Sequence, residues 1–184
     1  MKVSSKSILL ISIIGIMTAC NNNQATEEGH EGHEHSAAAP TATPAAATTS
    51  ASLKDDKLDA VFQQYKLLTM ALTEGNVAEA KVAALAIETG AKQIQDGKTL
   101  AVTAAQITSG ADIEAQRTSY ASLNDALITL LKASGLNNGE LYIAHCPMAL
   151  NDQGAFWVSN SKEIKNPYFG EEMLTCGSIK ETVN

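Results

Sequence analysis

From Leu53 to Leu136 the chain contains no proline, although four occur elsewhere. Proline removes a backbone N–H and its ring clashes with the preceding turn, so a long stretch without it is free to be helical throughout. Within it Leu58, Val61, Phe62, Tyr65, Leu68, Thr69 and Leu72 follow the alternating three- and four-residue spacing of one helical face. Gly75 and Asn76 interrupt the pattern. Asn76 is placed to cap a second helix in which Ala80, Ala84, Leu85 and Ile87 are the candidates for burial, and Gly90 kinks or ends it. A weaker segment from Thr99 to Thr108 stops at Ser109-Gly110. Asp112 then starts a long helix with Ile113, Tyr120, Leu123, Leu127, Leu130 and Leu131 as its inner stripe, closed by Gly135 and the Asn137-Asn138-Gly139 turn. Short connections between such segments predict a mainly α chain, an up-down bundle of three to four helices. Ala-rich faces pack closely and offer no catalytic cluster, so this half reads as scaffold and the chain as no enzyme.

The first residues speak to location. Lys2 and Lys6 precede a compact apolar stretch from Ile8 to Met17, and Met17-Thr18-Ala19-Cys20 ends it on small residues and a cysteine. A basic start, a short apolar run and a small-residue boundary describe a secretory signal over residues 1–19. Its end on cysteine resembles the bacterial lipobox. That resemblance implies cleavage before Cys20, lipidation of the Cys20 thiol, and a lipoprotein anchored in an envelope membrane, on its periplasmic side or at the cell surface. An ordinary signal with an incidental cysteine is the plainer alternative. With an anchor assigned, the odd count of 3 cysteines resolves into one lipid site and one pair, Cys146 and Cys176. The net charge of -7 becomes -9 once Lys2 and Lys6 are removed. Such acidity argues against nucleic acid as a partner and against docking on anionic lipid through a polybasic patch.

Residues 20–52 read as a tether. Asn21 to Ser52 has almost no large apolar side chain, and Pro40 and Pro44 sit among Ala, Thr and Ser, a composition that cannot offset chain entropy by burial. Inside it His30, His33 and His35 alternate with Glu and Gly. Imidazole and carboxylate both ligate divalent transition metals, so this tract is a candidate for weak, secondary metal capture. A solvated acidic tail has the same composition with no ligand role.

The rest, residues 53–184, is expected to be one domain: the bundle over 53–136 and a small α+β cap over 137–184. In the cap Leu141-Tyr142-Ile143-Ala144 and Ala155-Phe156-Trp157-Val158 flank a turn and predict a hairpin, while Asn160 and Glu163 are spaced to cap a short helical turn. Cys146 and Met148 are two apart, so they face one side of an extended segment; Met173 and Cys176 are three apart, neighbours on a helical turn. Brought face to face, these give two thiolates and two thioethers, a soft set suited to Cu(I). His145 joins them only if the backbone turns at Cys146. Two plainer readings stay open: a structural Cys146–Cys176 disulfide, common in an oxidising compartment, and methionines that only fill the core. A catalytic thiol lacks both a close Cys-x-x-Cys pair and an orienting carboxylate near His145.

His145-Cys146-Pro147-Met148-Ala149, Gly154-Ala155-Phe156-Trp157-Val158-Ser159, Glu163-Ile164, Asn166-Pro167-Tyr168-Phe169-Gly170 and Met173-Leu174-Thr175-Cys176-Gly177 resemble a family of envelope helical domains of unknown function. That family occurs in lipoproteins and as an extension on periplasmic adaptor subunits of heavy-metal efflux pumps. The resemblance covers about residues 53–183, with its distinctive part in the last 40 or so. Cys-Pro-Met followed by Cys-Gly is also similar to small heavy-metal modules of copper transport, which usually carry more Cys-Pro repeats. The resemblance implies copper or silver handling: capture of Cu(I) by Cys146, Met148, Met173 and Cys176, and buffering or transfer to an efflux-pump adaptor or another envelope protein.

Overall fold

The computed structural model describes residues 51–184. The signal segment, Cys20, the tether up to residue 50 and the histidines at 30, 33 and 35 lie outside the described residues; Ala51 and Ser52, expected to close the tether, belong to the domain instead, Ala51 buried and Ser52 paired with Asn138.

Four long helices form the first half: α1 (Asp56–Thr73), α2 (Val77–Ala91), α3 (Lys98–Ser109) and α4 (Ile113–Ser134). Three of them start where a side chain accepts the free amides of the first turn. Asp55 accepts from Lys57 and Leu58, both at 2.9 Å; Asn76 accepts from Glu79 at 3.1 Å; Asp112 accepts from Ala115 at 2.9 Å. The expected α1 stripe is buried at Leu58, Val61, Phe62, Tyr65, Leu68 and Leu72, while Thr69 is half-buried and spends its hydroxyl on hydrogen bonds.

Two side-chain expectations change. Leu85 is 53% exposed, because α2 turns Ala80, Ala83, Ala84, Ile87 and Ala91 inward, and alanines let neighbouring helices close in on them. On α4, Ile113 and Leu130 are only partly buried, and the inward face carries Gln116, Arg117 and Asn124 beside Tyr120, Leu123, Leu127 and Leu131. Helix α2 continues through Gly90 to Ala91.

The second half is a small antiparallel sheet. Strands β3 (Leu141–Cys146) and β4 (Ala155–Ser159) form the expected hairpin in the register Ala144 to Trp157 and Cys146 to Ala155. Between them the four-residue turn α5 (Ala149–Asp152) carries Leu150 and Asn151 in left-handed conformation. A last strand, β5 (Ser178–Val183), pairs with β3 and gives the order β4-β3-β5. Separately, β1 (Ser52–Leu53) pairs with β2 (Leu136–Asn138), tying the start of α1 to the end of α4. Residues 160–163 form bends rather than a helical turn, because Ser159 Oγ donates to the Ser161 carbonyl at 2.8 Å and accepts its amide at 3.0 Å. No helix among the described residues is long and apolar enough to cross a membrane.

Candidate thiol site

Strand periodicity decides which side chains reach the core. Directly opposed residues of an antiparallel pair share a face, and successive residues alternate. Cys146, Ala144, Ala155 and Trp157 therefore lie together on the buried side. His145 turns to the other side with Phe156, their rings 4.4 Å apart, so it stands on the opposite face from Cys146. After Pro147 the chain leaves the sheet. Met148 is 46% exposed and lines a surface hollow of about 460 Å³ with Arg117, Tyr168, Phe169, Asp152 and Glu172. Past Ala149, three successive residues, Leu150, Asn151 and Asp152, have φ of 54°, 55° and 63°. Left-handed backbone is costly for side chains with a Cβ, so a run of three is a strained turn that its surroundings hold in place.

Cys176 is brought back to β3 by a polar clamp. Asn166 is fully buried; its Oδ1 accepts the amides of Tyr168 at 2.8 Å and Phe169 at 3.3 Å, and its Nδ2 donates to the Cys176 carbonyl at 2.8 Å. Its own amide donates to the Leu174 carbonyl at 2.8 Å. The 3-10 turn Gly170–Met173 then delivers Cys176, whose amide donates to the Met173 carbonyl at 3.0 Å. Arg117 of α4 fastens the loop to the bundle: Nε donates to the Pro167 carbonyl and Nη2 to the Leu72 carbonyl, both at 3.0 Å, while Nη1 pairs with Glu114 at 3.0 Å. Gly177, at φ 135°, passes so close to the sheet that a Cβ there would sit 2.7 Å from Trp157 Cη2 and 3.1 Å from the His145 carbonyl oxygen.

The outcome is that the two cysteine sulfurs, Cys146 Sγ and Cys176 Sγ, come to 2.9 Å from each other. Cys146 is buried and Cys176 is half-exposed. The hydrogen bond with Cys146, with a smaller contribution from desolvation, raises the Cys176 thiol above its ordinary value. Met173 is half-buried one turn before Cys176. Of the five candidates, then, the fold joins the two cysteine sulfurs, keeps Met173 on the same turn as Cys176, sets Met148 at an exposed turn and puts His145 across the sheet. Among the described residues no group of three or more His, Cys, Asp or Glu side chains is placed to hold an ion.

Behind the thiols runs a tyrosine network. Phe62, Tyr65, Tyr120, Tyr168 and Trp157 form a chain of ring contacts with centroid separations of 5.6, 5.7, 5.5 and 6.2 Å. The Tyr65 hydroxyl meets Asn124 Oδ1 at 2.6 Å and the Tyr120 hydroxyl at 2.7 Å, and accepts the Val158 amide at 2.8 Å. The Tyr168 hydroxyl donates to the Phe156 carbonyl at 2.6 Å and accepts from Asn124 Nδ2 at 3.2 Å. Burial pushes the Tyr65 hydroxyl up to about 12 against hydrogen bonds that lower it, and holds Tyr120 and Tyr168 well above the usual tyrosine value. Sequence reasoning missed Asn124 and Arg117; their signal was a polar side chain in phase with the apolar stripe of α4. Asn166 lay inside a quoted motif without a role.

A family model described as "Protein of unknown function (DUF3347)" matches residues 61–139. The match runs from α1 to just past β2 and stops before Cys146. No curated protein and no solved structure matches the chain. Through its helical bundle, the chain is similar to a family whose function is uncharacterised.

Proposed function

We propose that this chain is an envelope lipoprotein that binds a soft heavy-metal ion, Cu(I), at Cys146 and Cys176 and buffers it or passes it to an efflux system. The observation that supports the reading is the approach of the two cysteine sulfurs to 2.9 Å, one buried and one half-exposed. Thiolate is a soft ligand and selects Cu(I) over hard cations. Metal–sulfur bonds near 2.3 Å at a tetrahedral angle would set two sulfurs about 3.8 Å apart, so loading requires the pair to separate by about 1 Å. Cys146 is fixed in a central strand, whereas Cys176 follows a short turn, so the movement falls to Cys176. Met173 stands next to the pair in sequence and turn. The exposed Met148 thioether is offered on the Tyr168–Phe169 side as an outer contact for an arriving ion. Lipidation at Cys20, and a second, divalent-type capture point at His30, His33 and His35, belong to the same proposal.

The same short separation favours a second reading, a domain that docks on an envelope partner and is braced by a Cys146–Cys176 disulfide. Anaerobic Cu(I) competition against a chromophoric chelator, comparing wild type with Cys146→Ser/Cys176→Ser, tests the first reading. Wild type should retain one Cu(I) that the variant surrenders; equal retention would sink the thiol site. Rapid thiol trapping and mass spectrometry of protein taken from cells separates the two. Two alkylated thiols count against the brace, and a copper-insensitive disulfide counts against the metal.

A further inference from the structure

Helix α2 presents an apolar ridge to solvent that the bundle does not use. Ala78, Val82, Leu85 and Thr89 are all exposed and recur at four-three-four spacing; Val82 is 72% and Leu85 53% exposed. That spacing is the seam of a two-helix coiled coil, while the opposite positions Ala80 and Ile87 face the core. Beside the ridge runs a groove of about 610 Å³ between α1 and α2, with Ala60, Ala86 and Gly90 among its lining residues. Small residues there let a further helix approach closely. On the other flank Lys81 and Glu88 lie seven residues apart, on the same side of the seam.

We infer that this face pairs with a second copy of the chain, α2 against α2 in antiparallel orientation about a two-fold axis. Charge complementarity selects that occupant. When two antiparallel seams stack Val82 of each copy on Leu85 of the other, the flanking positions bring Lys81 of each copy to Glu88 of the other, twice by symmetry. The remaining flank opposes Glu79 with Ala86, so no like charges meet. Glu88 already accepts Lys92 at 2.6 Å within its own chain, and Lys81 has no ion pair among the described residues. A 15-residue helix spans only about 22 Å, so the contact is a modest one, widened by the α1 wall of the groove and by Val102 of α3, 51% exposed. Interfaces of that class are weak or transient. The inference does not depend on the thiol site.

Sedimentation equilibrium of the full-length chain in density-matched detergent reads the association. Wild type should show a reversible monomer–dimer equilibrium. Leu85→Glu, on an exposed position that leaves the core intact, should weaken it about a hundredfold. Lys81→Glu and Glu88→Lys should each weaken self-association about tenfold, and an equimolar mixture of these two variants should pair again, because each then supplies the charge the other lacks. Helical circular dichroism and Trp157 fluorescence should be unchanged throughout. A monomer at every concentration, which is also what an N-terminal segment folded over this face would produce, overturns the inference. So does association that ignores Leu85→Glu, or a mixture that fails to recover.

Discussion

The bundle and the cap of this chain are held by different kinds of contact. In α1 to α4 the interior is mostly leucine, alanine and isoleucine on local helical spacing, and three of the four helices are capped by a side chain beside them in sequence. In the cap the decisive contacts are polar and distant: Arg117 reaches Pro167 fifty residues on, Tyr65 reaches Val158 across 93, and Asn166 holds the Cys176 carbonyl. Apolar packing degrades gradually when a side chain is trimmed. A buried polar clamp loses its function with one atom, because its partners are left unsatisfied. The bundle therefore carries stability and the cap carries geometry.

High pH should break the junction between the two most severely. Tyr65, Tyr120 and Tyr168 are all raised above the usual tyrosine value in the folded state. The folded protein thus holds protons that the unfolded chain releases near pH 10, and stability is full below that pH and falls as pH rises toward 12. Alkaline titration by tyrosinate absorbance and Trp157 fluorescence should show cooperative unfolding above pH 10; independent titration of these tyrosines near 10 would contradict the buried network.

A paired measurement sharpens the contrast. Leu123→Ala in the bundle should cost about 3 kcal/mol in chemical denaturation while leaving the thiols' mutual reactivity unchanged. Asn166→Ala should cost about 2 kcal/mol, yet slow closure of the Cys146–Cys176 pair by a small disulfide oxidant by tenfold or more, because the Cys176 loop loses its anchor. Similar closure rates in both variants would mean that the clamp does not set the thiol geometry. The smallest effect belongs to Tyr65→Phe, about 1–2 kcal/mol. It leaves the Val158 amide without its acceptor and should speed hydrogen exchange at that amide selectively.

The same division explains what could be read in advance. Helices α1 to α4, their Asn76 and Asp112 caps and the β3–β4 hairpin follow from short-range patterns, and all are present. Leu85 misled because large apolar side chains are the usual core markers, and here alanines fill that role on α2. Strand β5 went unread since Ser178-Ile179-Lys180-Glu181-Thr182-Val183 has two apolar residues, and its pairing with β3 is non-local. The approach of Cys146 to Cys176 was legible as one arrangement among several, from strand and turn spacing. The clamp that produces it was not, since nothing near Arg117 or Asn124 in sequence hints at Pro167 or Tyr168.

The tyrosine hydroxyls have a consequence for how this molecule tolerates crowding. On β4, the Val158 amide is taken by Tyr65 and the Phe156 carbonyl by Tyr168. An incoming strand would have to compete for both groups, so that border of the sheet is partly closed from within. Growth into ribbons is left to β5, whose centre carries Lys180 and Glu181. Opposite the Ile143–Ala144 step Lys180 is an extra residue that interrupts the β5 ladder, and Glu181 is already paired with Lys132 at 2.7 Å; an irregular edge that carries a lysine discourages an incoming strand.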